Sequence, residues 1–242
     1  MQNIVKGQTM AKWQGKNKAI TFSFDDGVKQ DIRLIEIFNK YGLKCTFNLN
    51  SACLGLPNSL ETNGHLIRHD KVRACDVKSI YEGHEVAVHT LTHPNLTTLD
   101  EETVVYQVEK DRLVLGELAG YEVVGMAYPC GGVNNDDRVA DIIKRRTGVK
   151  YSRTITSTGN FDLQDNLYRF NPSVYYIDRE TLFSLGEKFI DLKTDKPQIF
   201  YVWGHSYEMD AEYISWETFE EFCKLVSGKS DIFYGTNREV LL

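Results

Sequence analysis

Residues 19–49 read AITFSFDDGVKQDIRLIEIFNKYGLKCTFNL. Ala19–Phe24 is a short apolar run rich in strand-forming residues and reads as a β-strand. From Lys29 to Tyr41, apolar residues at Ile32, Ile35 and Phe38 keep the spacing of one helix face. Lys44–Leu49, KCTFNL, reads as a second strand. Strand, helix and strand in that order predict a parallel pair joined by a covering helix.

The alternation continues along the chain. HEVAVH (84–89), VVGMAY (123–128), KYSRTI (150–155), QIFYVW (198–203) and DIFYG (231–235) read as further strands. Helical patterns lie between them. One runs from Thr98, where Glu101 completes a capping box, to about Gly120, a helix stop. Others cover Asp136–Arg146, Arg179–Leu192 and Ser215–Val226. The strands are near-continuous apolar runs, as parallel strands buried on both faces should be. A closed or partly closed barrel and an open doubly wound sheet both satisfy the pattern. Ser51 to about His69 breaks the rhythm and reads as a long irregular loop, a place where function often resides.

The 242 residues fit a single catalytic domain over 1–242. The formal charge is −6, and the most basic stretch, IKRRTG (143–148), reads as a solvated helix end. No basic block suited to nucleic acid is present, so nucleic acid is excluded as a general partner. No run of about 18 apolar residues exists to span a membrane. The N-terminal stretch lacks a signal-type apolar core. The five cysteines, Cys45, Cys53, Cys75, Cys130 and Cys223, are odd in number and without C-x-x-C spacing. They read as reduced thiols, and with no leader in view the expected location is the cytoplasm.

In parallel α/β folds the chemistry gathers at the C-terminal strand ends. Asp25 and Asp26 end the first strand. His89 and His93, in HTLTH, end the third. Pro129, Cys130, Gly131 and Gly132 follow VVGMAY, and Gly204 and His205 follow QIFYVW. Adjacent carboxylates repel, so a bound cation is a natural partner for Asp25 and Asp26. On a strand they would point to opposite faces, and Gly27 lets the chain turn both into one cleft. Pro94 turns His93 out of the helical region, so HTLTH reads as a turn that brings both imidazoles to one point. One carboxylate and two histidines are ordinary ligands for a catalytic divalent metal. A second carboxylate can act as base, and a histidine on another strand as acid. HLIRH (65–69) offers the same histidine spacing, though inside the irregular loop. His84 precedes its strand and reads as structural. Trp203, Tyr128 and Tyr207 suit either the core or the walls of a cleft.

SFDDG, HTLTH, YPCGG and VWGHSYE resemble, in order and placement, the motifs of the NodB-homology polysaccharide deacetylases, carbohydrate esterase family 4. The resemblance runs from about Ala19 to His205. It implies a distorted (β/α)7 barrel and hydrolysis of acetyl groups from a carbohydrate. It further implies Asp25 as general base and His205 as general acid. Asp26, His89 and His93 would hold zinc, or cobalt or nickel in its place. The backbone N–H of Cys130 would contribute to the oxyanion hole. The family's base-pairing arginine falls at Ala127 here, and Arg169 is the expected substitute. Glu208, Asp162, Asp165 and Asp178 are candidates for the carboxylate that tunes the acid. N-acetyl substrates are favoured over O-acetyl ones. The rival readings are a hydrolase of another amide and a carbohydrate binder without catalysis.

Overall fold

The structure, a computed structural model, describes residues 12–242. Most of the N-terminal stretch read for a leader, residues 1–11, lies outside them. Ten strands and seven helices follow in chain order: β1 (Lys18–Asp25), α1 (Asp31–Lys40), β2 (Cys45–Leu49), β3 (Ser59–Thr62), β4 (His65–Arg68), α2 (Val77–Ile80), β5 (Glu85–Val88), α3 (Glu101–Ala119), β6 (Gly125–Ala127), α4 (Asp137–Arg146), β7 (Tyr151–Arg153), β8 (Val174–Tyr175), α5 (Arg179–Asp191), β9 (Gln198–Gly204), α6 (Trp216–Val226), β10 (Ile232–Tyr234) and α7 (Asn237–Leu241).

Parallel pairing runs β7–β6–β5–β2–β1–β9–β8, and β10 lies beside the first residues of β1. The sheet curls until its ends approach. There Phe170 bridges to Arg153, and β8 pairs with β9. The segment from Phe170 to Tyr175 thus completes a ring of seven members, the distorted (β/α)7 barrel. The open-sheet alternative falls.

Alternation along the strands explains what lines the ring. In β1, Phe22 and Phe24 face outward and pack on Phe38 of α1 and Phe219 of α6. Burial of each such ring contributes about 1.5–3 kcal/mol. The alternate residues face inward, where Thr21 donates to Asn237, and Ser23 accepts from Asn48 and Arg153. The strands are therefore not apolar on both faces. Their hydroxyl and amide residues are the barrel interior, and every second residue faces the helices.

Two local expectations need correction. The N-cap of α3 is Asp100, whose carboxylate accepts from Thr103 N–H at 2.9 Å. Thr98 instead ends a short 3₁₀ turn, Leu96–Thr98, so Thr98 and Glu101 form no capping box. Gly120 does close the helix, at φ +82°. The segment after Ser51 is not irregular throughout. β3 and β4 form an antiparallel hairpin with Asn63 (φ +50°) and Gly64 (φ +76°) at its turn. Asn-Gly is the strongest short hairpin signal, and here it outweighs the polar flanks. Among the described residues no helix is long and apolar enough to cross a membrane.

Candidate active site

Inward alternation places Asp25 at the top of the barrel interior. Asp26 would then point outward, but its own backbone adopts φ +85° and Gly27 follows at φ +61°. The reversal starts one residue earlier than the glycine implied, and it swings the Asp26 carboxylate over the rim. His89 continues the inward face of β5. His93 follows a turn with Thr90 at φ +67° and is itself at φ +65°, outside the helical region as Pro94 implied. The two imidazoles stand with ring centroids 4.9 Å apart. His93 Nε2 lies 3.5 Å, and His89 Nε2 4.0 Å, from Asp26 Oδ1. One potential ligand atom from each of Asp26, His89 and His93 lies within 4.8 Å of the others.

This donor set fits a divalent cation. His89 Nδ1 faces the Ala127 carbonyl oxygen at 2.9 Å and donates to it, which leaves Nε2 as the free lone pair. Burial, its largest influence, lowers the His89 pKa to about 4, so the ring is neutral and able to ligate. His65 and His69, by contrast, do not converge as a ligand pair. His65 faces Glu212 at 3.9 Å on the exposed hairpin, while His69 Nε2 reaches Asp26 Oδ2 at 3.3 Å. His84 accepts from Cys45 N–H at the other end of the barrel, a packing role.

Asp25 is held by a residue missed in the sequence. Arg153, fully buried at the end of β7, donates to both carboxylate oxygens, with Nη2 to Oδ1 at 2.6 Å. Asn48 Nδ2 adds a bond to Oδ1 at 2.8 Å. Burial alone would raise the Asp25 pKa; the Arg153 charge and hydrogen bonds bring it below the ordinary value. Arg169 does not take this part. Its guanidinium donates to Asn135 and Asp137 at the start of α4. Ala127, where the family motif would carry arginine, is the register partner of Arg153. The cation has moved one strand over at the same height. The signal was visible: a lone arginine inside the strand KYSRTI.

His205 extends β9 and faces Asp25, with Nε2 4.0 Å from Oδ2. Its Nδ1 donates to Glu208 Oε1 at 3.1 Å, and its backbone N–H donates to Oε2 at 3.0 Å. Tyr175 also donates to Glu208. Burial opposes a charge on His205, but the Glu208 carboxylate overrides it and lifts the pKa to about 9. Asp178 caps α5, Asp162 accepts from Gln198, and Asp165 lines a separate surface depression, so none of them tunes His205. An acid works only while it holds its proton. Glu208→Gln leaves burial less opposed, so the alkaline limb of the pH–rate profile should move down by roughly a unit or more. An unmoved limb would detach Glu208 from the acid.

Asp25, Asp26, His89, His93 and His205 share one cleft of about 420 Å³ with Tyr128, Cys130, Tyr175, Trp203 and Tyr207. Tyr128 and Trp203 thus serve both core and cleft. Cys130 has φ +70°, and among the described residues its backbone N–H has no acceptor. Its Sγ lies against His93, 3.8 Å from Nδ1 and 3.5 Å from the carbonyl oxygen. Burial raises the thiol's pKa, so it is a poor nucleophile at neutral pH.

Residues 12–151 match the family described as Polysaccharide deacetylase. A peptidoglycan-N-acetylglucosamine deacetylase of Listeria monocytogenes is 28% identical over 120 residues, 49% of this chain and 22% of its own length. A peptidoglycan-N-acetylmuramic acid deacetylase of Bacillus subtilis is 26% identical over 50% of this chain and 23% of its own length. The matches thus span under a quarter of these curated relatives. Among solved structures, a family 4 carbohydrate esterase from Streptomyces lividans, in complex with acetate, superposes over 91% of this chain and 93% of that one. Its TM-score is 0.56 at 15% identity. A CE4 family pseudoenzyme from Bacillus anthracis covers 93% and 66%, with TM-score 0.56 at 18% identity. At such identity these two likenesses speak for the fold.

Proposed function

The chain belongs to the polysaccharide deacetylase family, and from that premise we propose that it is a metal-dependent hydrolase of acetyl groups on a carbohydrate, N-acetyl before O-acetyl. One observation carries the reading. A buried carboxylate held ionised by Arg153 and a histidine held protonated by Glu208 face each other at 4.0 Å beside the Asp26–His89–His93 cluster.

Asp26, His89 and His93 would hold the cation, which supplies Lewis acidity to a water molecule and to the acetyl carbonyl. Asp25 takes the proton from that water as it attacks. Arg153 keeps Asp25 anionic, and so basic, in a site that would otherwise neutralise it. The Cys130 backbone N–H, turned free by its left-handed conformation, donates to the oxygen on which charge develops. His205 Nε2 gives its proton to the departing sugar nitrogen or oxygen, and Glu208 steadies the imidazolium until it does. An amine is the poorer leaving group, so a committed acid of this strength favours amide substrates. Trp203, Tyr128 and Tyr207 give the acetyl methyl and the sugar face apolar walls.

A non-catalytic carbohydrate binder drew its support from a missing arginine and a missing acid-tuning carboxylate. Arg153 and Glu208 remove that support. The test is acetate release by zinc- or cobalt-loaded protein from N-acetylglucosamine oligomers and acetylated xylo-oligosaccharides. Release from the first class, abolished by chelation and restored by zinc, is expected. Release only from the second would make the enzyme an esterase. No release from either, with metal bound, would sink the deacetylase reading.

A further inference from the structure

We propose that Asn58 and His69, on either side of the β3–β4 hairpin, position the Asp26 carboxylate so that only Oδ1 is offered to a divalent cation; this rests on the metal assignment just made. His69 lies outside the three-residue ligand cluster. Its ring is buried, and Nε2 sits 3.3 Å from Asp26 Oδ2, while Oδ1 is the oxygen that faces His89 and His93, with Lys71 Nζ 3.5 Å from it. The two carboxylate oxygens therefore have different partners.

Hydrogen bonding one residue further out fixes which nitrogen carries the proton. Asn58 Oδ1 accepts from Ser59 N–H at 2.9 Å, so its amide nitrogen is the group that faces His69 Nδ1, at 3.4 Å. An amide NH2 only donates, so Nδ1 accepts and the ring N–H is on Nε2. That proton points at Asp26 Oδ2. The Tyr207 ring stands edge-on to the imidazole, 4.7 Å between centroids, and limits its rotation.

The backbone supplies the rest of the clamp. After the hairpin, the chain pairs antiparallel with the residues that follow Asp26. Val28 bridges Lys71, Lys29 N–H donates to Asp70 O, and Val72 N–H donates to Gly27 O, each bond 2.9 Å. His69 and Lys71 alternate along this extended stretch and so share a face. Lys71 Nζ donates to the Asp26 carbonyl oxygen at 2.8 Å, across the left-handed turn. A carboxylate with one oxygen engaged this way binds a metal through the other alone. Coordination positions then stay open for water and substrate.

His69 acts through Asp26 and is a positioning residue. The test reads zinc affinity directly, by titrating the metal-free full chain in competition with a chromophoric chelator. His69→Ala should weaken zinc binding about 10–100-fold. His69→Gln, whose amide nitrogen reaches as Nε2 does, should recover most of it. The melting temperature of each metal-free variant separates this from a change in folding. Tight zinc binding by His69→Ala, or His69→Gln as weak as His69→Ala, overturns the inference. The metal assignment has its own control. Wild-type protein that takes up no zinc, or His93→Ala that takes it up as tightly as wild type, removes that assignment and this inference with it.

Discussion

Asp25→Asn should reduce turnover by about 10²–10⁴-fold, the usual worth of a positioned general base, while zinc binding stays intact. An asparagine carbonyl can still accept from Arg153 and Asn48, so the side chain keeps its place but has no basic lone pair of comparable strength. The loss should fall on kcat, with KM little changed, because the base acts in the transition state and not in holding the sugar. Folding also suffers. Arg153 is buried, and Asp25 is its one carboxylate partner among the described residues. A buried cation facing only an amide costs about 3–5 kcal/mol, within the stability of an ordinary domain. The variant should therefore be soluble but melt lower. Turnover within threefold of wild type would remove Asp25 from the mechanism.

Arg153→Met should do comparable damage by a different route, and pH tells the two apart. Burial is the largest influence on Asp25, and Arg153 leads the charges that oppose it, ahead of His89 and His205. Without the guanidinium, burial is opposed less and the Asp25 pKa should rise above its unfolded value. In wild type a lowered pKa adds stability above the unfolded value, stability lost as pH falls through the folded one. In the variant the sign reverses. Its carboxyl pKa is raised, so stability present at low pH is lost as pH climbs toward the new pKa. Denaturation measured from pH 4 to 8 should show the gap to wild type widening with pH. The acid limb of the rate profile should shift upward, toward the fall set by His205 near 9. The double variant Asp25→Asn/Arg153→Met should be less destabilised than the two single changes added together, since neither partner is left charged. Additive losses, or a gap independent of pH, would refute the account.

The longer strands and helices, though not the short α2, β8 and α7, were legible because their hydrophobic periods are plain. So were the residues that end β1, β5 and β9, because parallel strands deliver their last residues to one rim. Three things were not. The inward register of Thr21, Ser23, Thr46 and Asn48 reads as mere interruption of an apolar run until the barrel closes around it. Arg153 could be seen as a lone arginine in its strand but its partner could not, because β7 and β1 lie four places apart in the sheet and meet at Asp25 only when it curls. Asn63-Gly64 was a readable turn, but its flanks are polar, so the hairpin and the hold of His69 on Asp26 were masked. Glu208 needed only local geometry, three residues beyond His205, and was accordingly among the candidates.

The ring is not equally stiff around its circumference. β1 is bonded along its length to β9 and at its end to β2, whereas β7 and β9 are joined through a short segment, Phe170 on the β7 side and Ser173–Tyr176 on the β9 side. Local opening begins where backbone hydrogen bonds are fewest. Tyr175, which holds Glu208 and stacks on Trp203 at 4.2 Å, belongs to the two-residue strand β8 in that joining segment. Asp26 and His205 follow β1 and β9, the most fully paired strands, whereas β5, which leads to His89, pairs with β6 at Val88 alone. The side chains of the cleft are therefore mounted on unlike supports: those that follow β1 and β9 on the most fully paired strands, and Tyr175, with its hold on Glu208, on a strand of two residues.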